Sequence, residues 1–276
     1  MSKLQLGVNE GISNQLYHED KEYLSSSVLK VVYEDLAKYY DEYILGNKKE
    51  YSQSTLDAFA FGTSTHTALL EPHLYSTEVL HFNGIRKAGE EWQKFFNALS
   101  DEDKKKPIMN RGNTMKLNEI LKNFKAHKHA PKFIDHSKPN CYAEHTLCDI
   151  LHDVPVKVRT DWIDLDTGFI ADVKTTSAIT DTEAFRETVQ SLKYQLSGAL
   201  YCTVAESIYN KPFDFYFVVV SKADLGTAVY KLSKKSKEEG IEMIKIACAK
   251  YLKAKESGDW AEPLQEDTQE DVIPEV

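Results

Sequence analysis

Residues 141–176 read CYAEHTLCDILHDVPVKVRTDWIDLDTGFIADVKTT, and apolar and polar side chains alternate along them. A period of two is typical of strands that bury one face. Asp153-Val154-Pro155 interrupts the first pair of runs, and residues 164–168 (DLDTG) have turn chemistry between the second and the third. The pattern predicts three consecutive strands, and we expect them to form the centre of the fold.

Four charged residues converge in these predicted strands. Asp172 and Lys174 are two residues apart and project from the same strand face, and Asp161 and Glu144 can join them from the two earlier strands. Carboxylates on adjacent strands can hold Mg²⁺, which lowers the pKa of a bound water and neutralises charge on a phosphodiester. An Asp-x-Lys pair alone is typical of a solvated surface. The combined set predicts a metal site with a lysine beside it.

The runs VKVRTDWID (156–164) and GFIADVKTT (168–176) resemble the core of the PD-(D/E)xK nuclease superfamily. Within it they most resemble the RecE-type exodeoxyribonuclease VIII group of phages and prophages. The resemblance implies an α/β fold of restriction-endonuclease type, with a mixed central sheet flanked by helices and an N-terminal helical portion. It also implies a metal-dependent exonuclease that digests double-stranded DNA from the 5′ end and leaves 3′ single-stranded tails for recombination by strand annealing.

The resemblance also implies roles for individual residues. Asp161, Asp172 and the carbonyl of Val173 are expected to ligate Mg²⁺, for which Mn²⁺ can substitute. Glu144 is expected to support the metal directly or through water, and Lys174 to position the nucleophilic water.

A histidine is a further candidate ligand. The run AFAFGTSTHTALLEP (58–72) predicts a helix stopped by proline. An isolated histidine in such a helix is ordinarily a satisfied core or surface residue. The small residues before His66 and the Leu-Leu-Glu-Pro after it resemble the histidine motif of the family, so His66 is a candidate metal or phosphate ligand.

A second helix is predicted to line the DNA side of the site. Residues 181–205 are interpreted as one continuous helix, in which Tyr194 and Tyr201 match a Tyr-x-x-Gln-x-x-x-Tyr pattern of the family and Ser197 occupies the glutamine position. In a continuous helix Gln190 shares their stripe and Gln195 does not. The predicted DNA contacts are therefore Tyr194, Tyr201, Ser197 and Gln190. The alternative is that the tyrosines only pack the helix onto the sheet.

Composition limits the class of protein. The 276 residues carry a net charge of −9, and residues 262–276 hold six acids and no base. Residues 104–132 hold eight lysines and Arg111 against one acid, which suits either contact with a DNA backbone or a solvated helix face. The four cysteines are scattered, which argues against a zinc site or a disulfide framework. Without a signal sequence or a membrane-length apolar run, we expect a cytoplasmic protein. The resemblance implies that the cell is bacterial and that a phage or prophage encodes the protein.

The predicted organisation has three parts. Residues 1–135 form an N-terminal, mostly helical portion that contributes His66 and includes a helix over 28–43, residues 136–258 form the nuclease core, and residues 259–276 form an acidic disordered tail. Residues 1–258 are expected to be one compact unit.

The resemblance implies partners as well. These are double-stranded DNA ends, a single-strand annealing protein and further copies of the chain in a trimeric or tetrameric ring. Two alternatives stay open at this point. One is a PD-(D/E)xK endonuclease or a nuclease of other polarity, and the other is a catalytically silent DNA-binding module of the same fold.

Overall fold

Eight strands are present in the computed structural model, which describes residues 3–47 and 50–261. They are β1 (Gly7–Asn9), β2 (Leu80–Phe82), β3 (Ile108–Asn110), β4 (Cys141–Leu151), β5 (Val154–Asp164), β6 (Phe169–Thr176), β7 (Asp214–Ser221) and β8 (Thr227–Lys231). Six of them form a sheet in the order β1-β4-β5-β6-β7-β8, with all neighbours antiparallel except β6 and β7. The remaining pair, β2 and β3, is parallel and forms its own small sheet. The three consecutive strands predicted from residues 141–176 are the central β4, β5 and β6.

Helices surround this sheet in the described part of the chain. They are α1 (Asn14–Glu19), α2 (Ser26–Glu34), α3 (Leu36–Tyr39), α4 (Gln53–Leu70), α5 (Tyr75–Glu78), α6 (Gly89–Asn97), α7 (Arg111–Ala126), α8 (Thr182–Ser191), α9 (Tyr194–Tyr209) and α10 (Lys234–Ser257). A π-helical turn, Tyr40–Ile44, continues α3. Within the described residues, no helix is both long enough and apolar enough to span a membrane.

Local sequence explains where the longer helices begin. The residue before each of five helices accepts a hydrogen bond from the backbone N–H three residues later, which satisfies one of the free donors of the first turn. These N-cap residues are Ser25, Ser52, Asn110, Asp181 and Ser233.

The two faces of β6 are covered by different helices. Ile170 belongs to the largest hydrophobic cluster, which includes residues of α2, α9 and α10. Ala171 and Val173 belong to a second cluster with Leu70 of α4 and Phe124 of α7. Asp172 and Lys174 alternate with the latter pair and lie on the Ile170 side. The predicted α/β architecture, a mixed sheet flanked by helices, is confirmed.

Two predicted helices are each broken in two. The helix expected over 28–43 is interrupted at Asp35, whose φ of −154° is extended and whose side chain caps α3. The helix expected over 181–205 is interrupted at Lys193, which has a left-handed φ of 49°. The prediction of one continuous helix is wrong in both places, because hydrophobic periodicity does not register a single non-helical residue.

The N-terminal segment is fastened to the sheet by two buried cations. The Lys157 ammonium donates to the backbone carbonyls of Tyr17 and Asp20 at 2.5 and 2.6 Å, and the Arg159 guanidinium donates to the carbonyl of Ile12 at 2.9 Å. Strand β1 also pairs with β4. Segments before residue 135 therefore pack directly on the nuclease core, and the division at that residue stays a prediction.

One residue of the predicted acidic tail packs on the helices. Trp260 lies against three tyrosines, with ring centroids 5.5 Å from Tyr39, 5.7 Å from Tyr40 and 6.0 Å from Tyr251. An aromatic residue next to an acidic run gains from such burial, and the boundary at residue 259 stays a prediction. Residues 262–276, which hold the predicted disorder, lie outside the described residues.

Candidate active site

The site lies where the sheet divides between β5 and β6. Their pairing ends at Trp162 opposite Ala171, so Val173 has no partner residue on β5. Its backbone N–H instead donates to Asp161 Oδ2 at 2.7 Å, and its carbonyl lies 2.9 Å from His66 Nε2. Two side chains thus satisfy the backbone groups that a strand would otherwise have paired.

His66 is held in one tautomer by this contact. A carbonyl can only accept a hydrogen bond, so Nε2 carries the proton and, in the neutral ring, Nδ1 keeps its lone pair. Nδ1 lies 3.6 Å from Asp161 Oδ2. A backbone carbonyl that fixes the other ring nitrogen is a common support for a metal-ligating histidine. The imidazole is therefore oriented to present Nδ1 beside the Asp161 carboxylate.

Glu144 completes a group of three ligand residues. The pairs Ala143–Trp162 and His145–Thr160 on either side place it opposite Asp161. Its φ of 49° is left-handed, a conformation that non-glycine residues seldom adopt. One ligand atom each from His66, Glu144 and Asp161 lie within 4.8 Å of one another. One imidazole nitrogen and two carboxylates form a donor set that fits a divalent cation such as Mn²⁺ or Mg²⁺.

Crowding and burial raise the proton affinity of both carboxylates. Burial, with repulsion from Asp172, raises the pKa of Asp161 despite the nearby His66. Burial, followed by repulsion from Asp161, raises the pKa of Glu144 to about 8. A bound cation would offset both effects, because it neutralises the repulsion and replaces lost solvation. The electrostatics of the site thus agree with its donor set in favouring a metal.

Lys174 and Asp172 form an ion pair beside this group. The ammonium lies 2.5 Å from Asp172 Oδ2. Burial lowers the pKa of Lys174, but Asp172 and Asp161 outweigh it, and the net pKa is raised. Lys174 therefore stays positively charged at neutral pH.

Three of the five predicted ligands, His66, Glu144 and Asp161, form this group. The other two make different contacts: Asp172 pairs with Lys174, and the Val173 carbonyl accepts a hydrogen bond from His66. Their roles as ligands stay predictions. All the predicted catalytic residues meet at this end of the sheet.

Of the predicted DNA contacts on α9, Tyr194 lies nearest to Lys174. Its ring centroid is 5.1 Å from the Lys174 ammonium and 5.9 Å from the Phe217 ring. Tyr201 packs on Phe215 at 6.0 Å, and burial raises its pKa well above the usual value. Ser197 is buried. Their packing explains the tyrosines structurally, and both also feel charged residues of the site, Tyr194 through Lys174 and Tyr201 through Asp172 and Asp161.

Gln190 does not share a helix with these residues. It lies on α8 and is exposed, whereas Tyr194, Ser197 and Tyr201 lie on α9. The left-handed backbone of Lys193 ends the regular helix between Gln190 and Tyr194. The two residues therefore do not share the helix axis on which the predicted stripe depended. The argument that placed Gln190 on their stripe therefore fails, and its contact with DNA stays a prediction. Gln195, which the sequence placed off this stripe, is buried with 8% of its surface exposed.

Lys30 is a charged residue near the site that the sequence analysis did not identify. Its ammonium lies 4.8 Å from the ring centroid of Tyr194, on whose ring Lys174 also rests. Burial, then repulsion from Lys174, lowers the pKa of Lys30 to about 8. It makes no ion pair with an acid in the described chain. One signal was present: Lys30 is the sole charged residue between Ser25 and Tyr33.

The raised pKa of Glu144 gives the metal-free protein a pH dependence. An unfolded glutamate ionises near pH 4.3, whereas Glu144 in the folded chain ionises near 8. The stability contribution is therefore full below about pH 4 and is lost as the pH rises to 8. We expect urea unfolding in EDTA to show a free energy of unfolding that falls across this range, and Glu144→Gln to reduce the fall.

The matched control is Glu187→Gln, because Glu187 is an exposed glutamate on α8. It should keep the slope of the parent protein. Equal slopes for Glu144→Gln and the parent would show that Glu144 ionises normally in the fold.

Comparison with known proteins agrees with this geometry. Residues 25–266 match the family described as "PDDEXK-like domain of unknown function (DUF3799)". No curated protein gives a significant match. A solved structure from Eubacterium rectale, described as "Putative exonuclease", is similar with a TM-score of 0.66 and 14% identity, over 91% of this chain and 89% of that one.

A second solved structure is a phage related exonuclease from Haemophilus somnus 129PT. It has a TM-score of 0.35 and 12% identity, over 86% of this chain and 96% of that one. At these identities the first likeness concerns the fold alone, and the second is weak even for the fold. The family match spans most of the sequence and includes every strand of the site, so the chain belongs to the PDDEXK-like family DUF3799 and the predicted PD-(D/E)xK membership is confirmed.

Proposed function

We propose that the protein is a metal-dependent exonuclease that digests linear double-stranded DNA from its 5′ ends and leaves 3′ single-stranded tails. The observation that carries the proposal is the group of His66, Glu144 and Asp161 with the Lys174 ammonium beside it. A phosphodiester hydrolase needs this combination, a cation site next to a fixed positive charge. The 5′ polarity and the tails rest on the resemblance to the RecE-type group.

Each residue has a part in the proposed hydrolysis. His66, Glu144 and Asp161 would hold a divalent cation, which supplies a water of lowered pKa and neutralises phosphate charge when bound. Asp172 fixes the ammonium of Lys174 through their ion pair. Because Lys174 stays protonated, it can only donate hydrogen bonds. Lys174 therefore orients the attacking water through its oxygen, or binds a non-bridging phosphate oxygen, and does not act as a general base.

The test uses full-length protein with linear and closed circular duplexes of one sequence, in Mg²⁺, Mn²⁺ or EDTA. Metal-dependent loss of the linear form alone supports an exonuclease, and cutting of the circle indicates an endonuclease. Hydrolysis in neither metal, with DNA binding intact, would indicate a silent module. Duplexes labelled at only the 5′ or only the 3′ end decide the polarity.

We also propose, by the same resemblance, that the protein assembles into a trimeric or tetrameric ring and works with a single-strand annealing protein. Light scattering gives the mass of the assembly. A monomer at micromolar concentration with full processive activity would contradict the ring.

Lys30→Met is expected to reduce DNA hydrolysis about tenfold, mainly through a higher KM, because it removes a positive charge near the proposed phosphate position. Methionine keeps most of the side-chain length. Steady-state kinetics on a linear duplex measure the effect. Lys38→Met on α3 is the control, since Lys38 is exposed and makes no ion pair in the described chain. Equal kinetics for the two variants would remove Lys30 from the site.

A further inference from the structure

A cleft of about 410 Å³ lies apart from the metal site, between α5, β2 and the first two turns of α7. Eight residues line it, and none of them is acidic. Helix α4 stands behind it: Phe61 packs with Met109 and Leu117 of β3 and α7. His66 follows Phe61 by five residues and so points about 140° away around the helix axis. None of the residues that line the cleft belongs to α4 or to the strands of the metal site, so the two sites are separate.

Three polar side chains of the cleft have no partner in the described chain. The Arg111 guanidinium makes neither an ion pair nor a hydrogen bond, and the amides of Asn83 and Asn118 make no hydrogen bond. Nearby lysines differ, because Lys106 pairs with Asp103 and Lys122 with Glu119. The positive charge of Arg111 is therefore available to a ligand in the cleft.

The walls of the cleft are held in place by hydrogen bonds. Asn110 caps α7 by accepting from Asn113 N at 2.8 Å, and its amide donates to the Ile85 carbonyl at 2.8 Å. His81 Nδ1 lies 3.0 Å from the Thr114 hydroxyl, which fixes the imidazole ring across the cleft from α7. These hydrogen bonds hold the start of α7 in place, and with it the backbone of Arg111, the first residue of the helix.

The chemistry of the cleft matches one nucleotide unit. Arg111 offers a planar fork of donors that suits a phosphate, and the start of α7 adds partial positive charge. The His81 ring and the exposed Met115 offer an aromatic and an apolar surface for a base, and the two asparagine amides offer donors and acceptors for its edge. The volume is near the lower end of the range for small-molecule sites.

We propose that this cleft binds a nucleotide of single-stranded DNA, namely of the 3′ tail that remains as the opposite strand is degraded. A base-paired nucleotide presents its edge and faces to its neighbours, so only an unpaired strand can enter such a cleft. The inference rests on the proposed exonuclease function and adds a second contact to it. A tail held in this cleft is kept apart from the metal site.

The test compares binding of a 3′-tailed duplex and a blunt duplex of equal paired length, by fluorescence anisotropy in EDTA at fixed salt. The parent protein should bind the tailed DNA more tightly. Arg111→Ala should weaken tailed binding about tenfold, the usual loss for one charge-assisted contact, and leave blunt binding within about twofold. Asn118→Asp, which has the same shape and adds a negative charge, should remove the tail preference without changing the melting temperature.

The control is Lys116→Ala, which removes one positive charge from α7 at an exposed position that does not line the cleft. It should keep the tail preference. Three results overturn the proposal: no effect of Arg111→Ala, equal losses on tailed and blunt DNA, or displacement of the tail by a free deoxynucleoside monophosphate at the concentration of nucleotide in the tail.

Hydrolysis of the blunt duplex in Mg²⁺ is measured alongside, so that the two proposals can fail separately. An inactive protein that still prefers tails through Arg111 contradicts only the exonuclease function. An active exonuclease whose Arg111→Ala variant binds tails normally contradicts only the cleft.

Discussion

Lys174→Ala is expected to lower the rate of DNA hydrolysis about a thousandfold, the size of effect seen when a fixed charge is removed from a hydrolytic site. The ammonium lies 2.5 Å from Asp172, and its raised pKa keeps it charged at neutral pH. Alanine removes the donor that orients the water or the phosphate, and no other described lysine lies as close to Asp172. The loss should appear in kcat and in kcat/KM equally, because the contact belongs to the transition state.

The chain offers a matched control for this variant. Lys231 at the end of β8 pairs with Asp214 at 2.7 Å, so it is also a strand lysine that is paired with an aspartate. The side chains of Lys231 and Asp214 are each about half exposed, and an exposed ion pair contributes little to stability. Lys231→Ala should leave hydrolysis unchanged. If Lys174→Ala is folded, as judged by circular dichroism, and still hydrolyses DNA at the parental rate, the proposed mechanism is excluded.

Asp161→Asn is expected to abolish the stabilisation of the protein by metal ions. For the parent protein, ion at about a hundred times its Kd adds about 2.7 kcal/mol, which corresponds to a rise of roughly 5 to 10 °C in melting temperature for a chain of this size. Asparagine keeps an oxygen that can accept a hydrogen bond from the Val173 N–H. The local backbone of β5 and β6 can therefore stay in place while the charge is lost. Mn²⁺ should act at lower concentration than Mg²⁺, because an imidazole in the ligand set favours it.

Scanning calorimetry at increasing ion concentration measures this effect. Asp214→Asn is the control, and it should show the full shift of the parent protein because Asp214 lies in the surface pair with Lys231. A parent protein whose melting temperature does not respond to millimolar Mn²⁺ would show that the three ligand residues do not hold a metal. An unchanged shift in Asp161→Asn would remove Asp161 from the ligand set.

Much of the site could be predicted because side chains alternate between the two faces of a strand. A period of two determines which side chains share a face, so the positions of Asp161, Asp172 and Lys174 followed from residues 156–176 alone. The pairing of Ala143 with Trp162 then brings Glu144 opposite Asp161. His66 lies 78 positions before Glu144 in the sequence. Only its resemblance to a family motif identified it, because no local pattern links α4 to the sheet.

The parts that could not be predicted depend on single backbone angles and on tertiary packing. Asp35 and Lys193 each break a helix whose apolar periodicity continues on both sides, and Lys193 alone decides that Gln195 is buried and Gln190 exposed. Lys30 became a site residue only when α2 packed beside Tyr194. The contact of His66 with the Val173 carbonyl could not be predicted either, since it depends on where the pairing of β5 and β6 ends.

The point where β5 and β6 separate has a consequence for how active and inactive relatives of this protein differ in sequence. Asp161 and His66 satisfy the backbone of Val173, so a descendant that lost its chemistry would still need both for its fold. The Glu144 side chain satisfies no backbone group in this way. Its φ of 49° is strained, burial raises its pKa, and its carboxylate makes no hydrogen bond in the described chain. Without selection for activity, we expect this position to drift to glycine or asparagine, which tolerate that angle. We therefore expect the residue aligned with Glu144, rather than those aligned with Asp161 or His66, to distinguish active nucleases from inactive relatives.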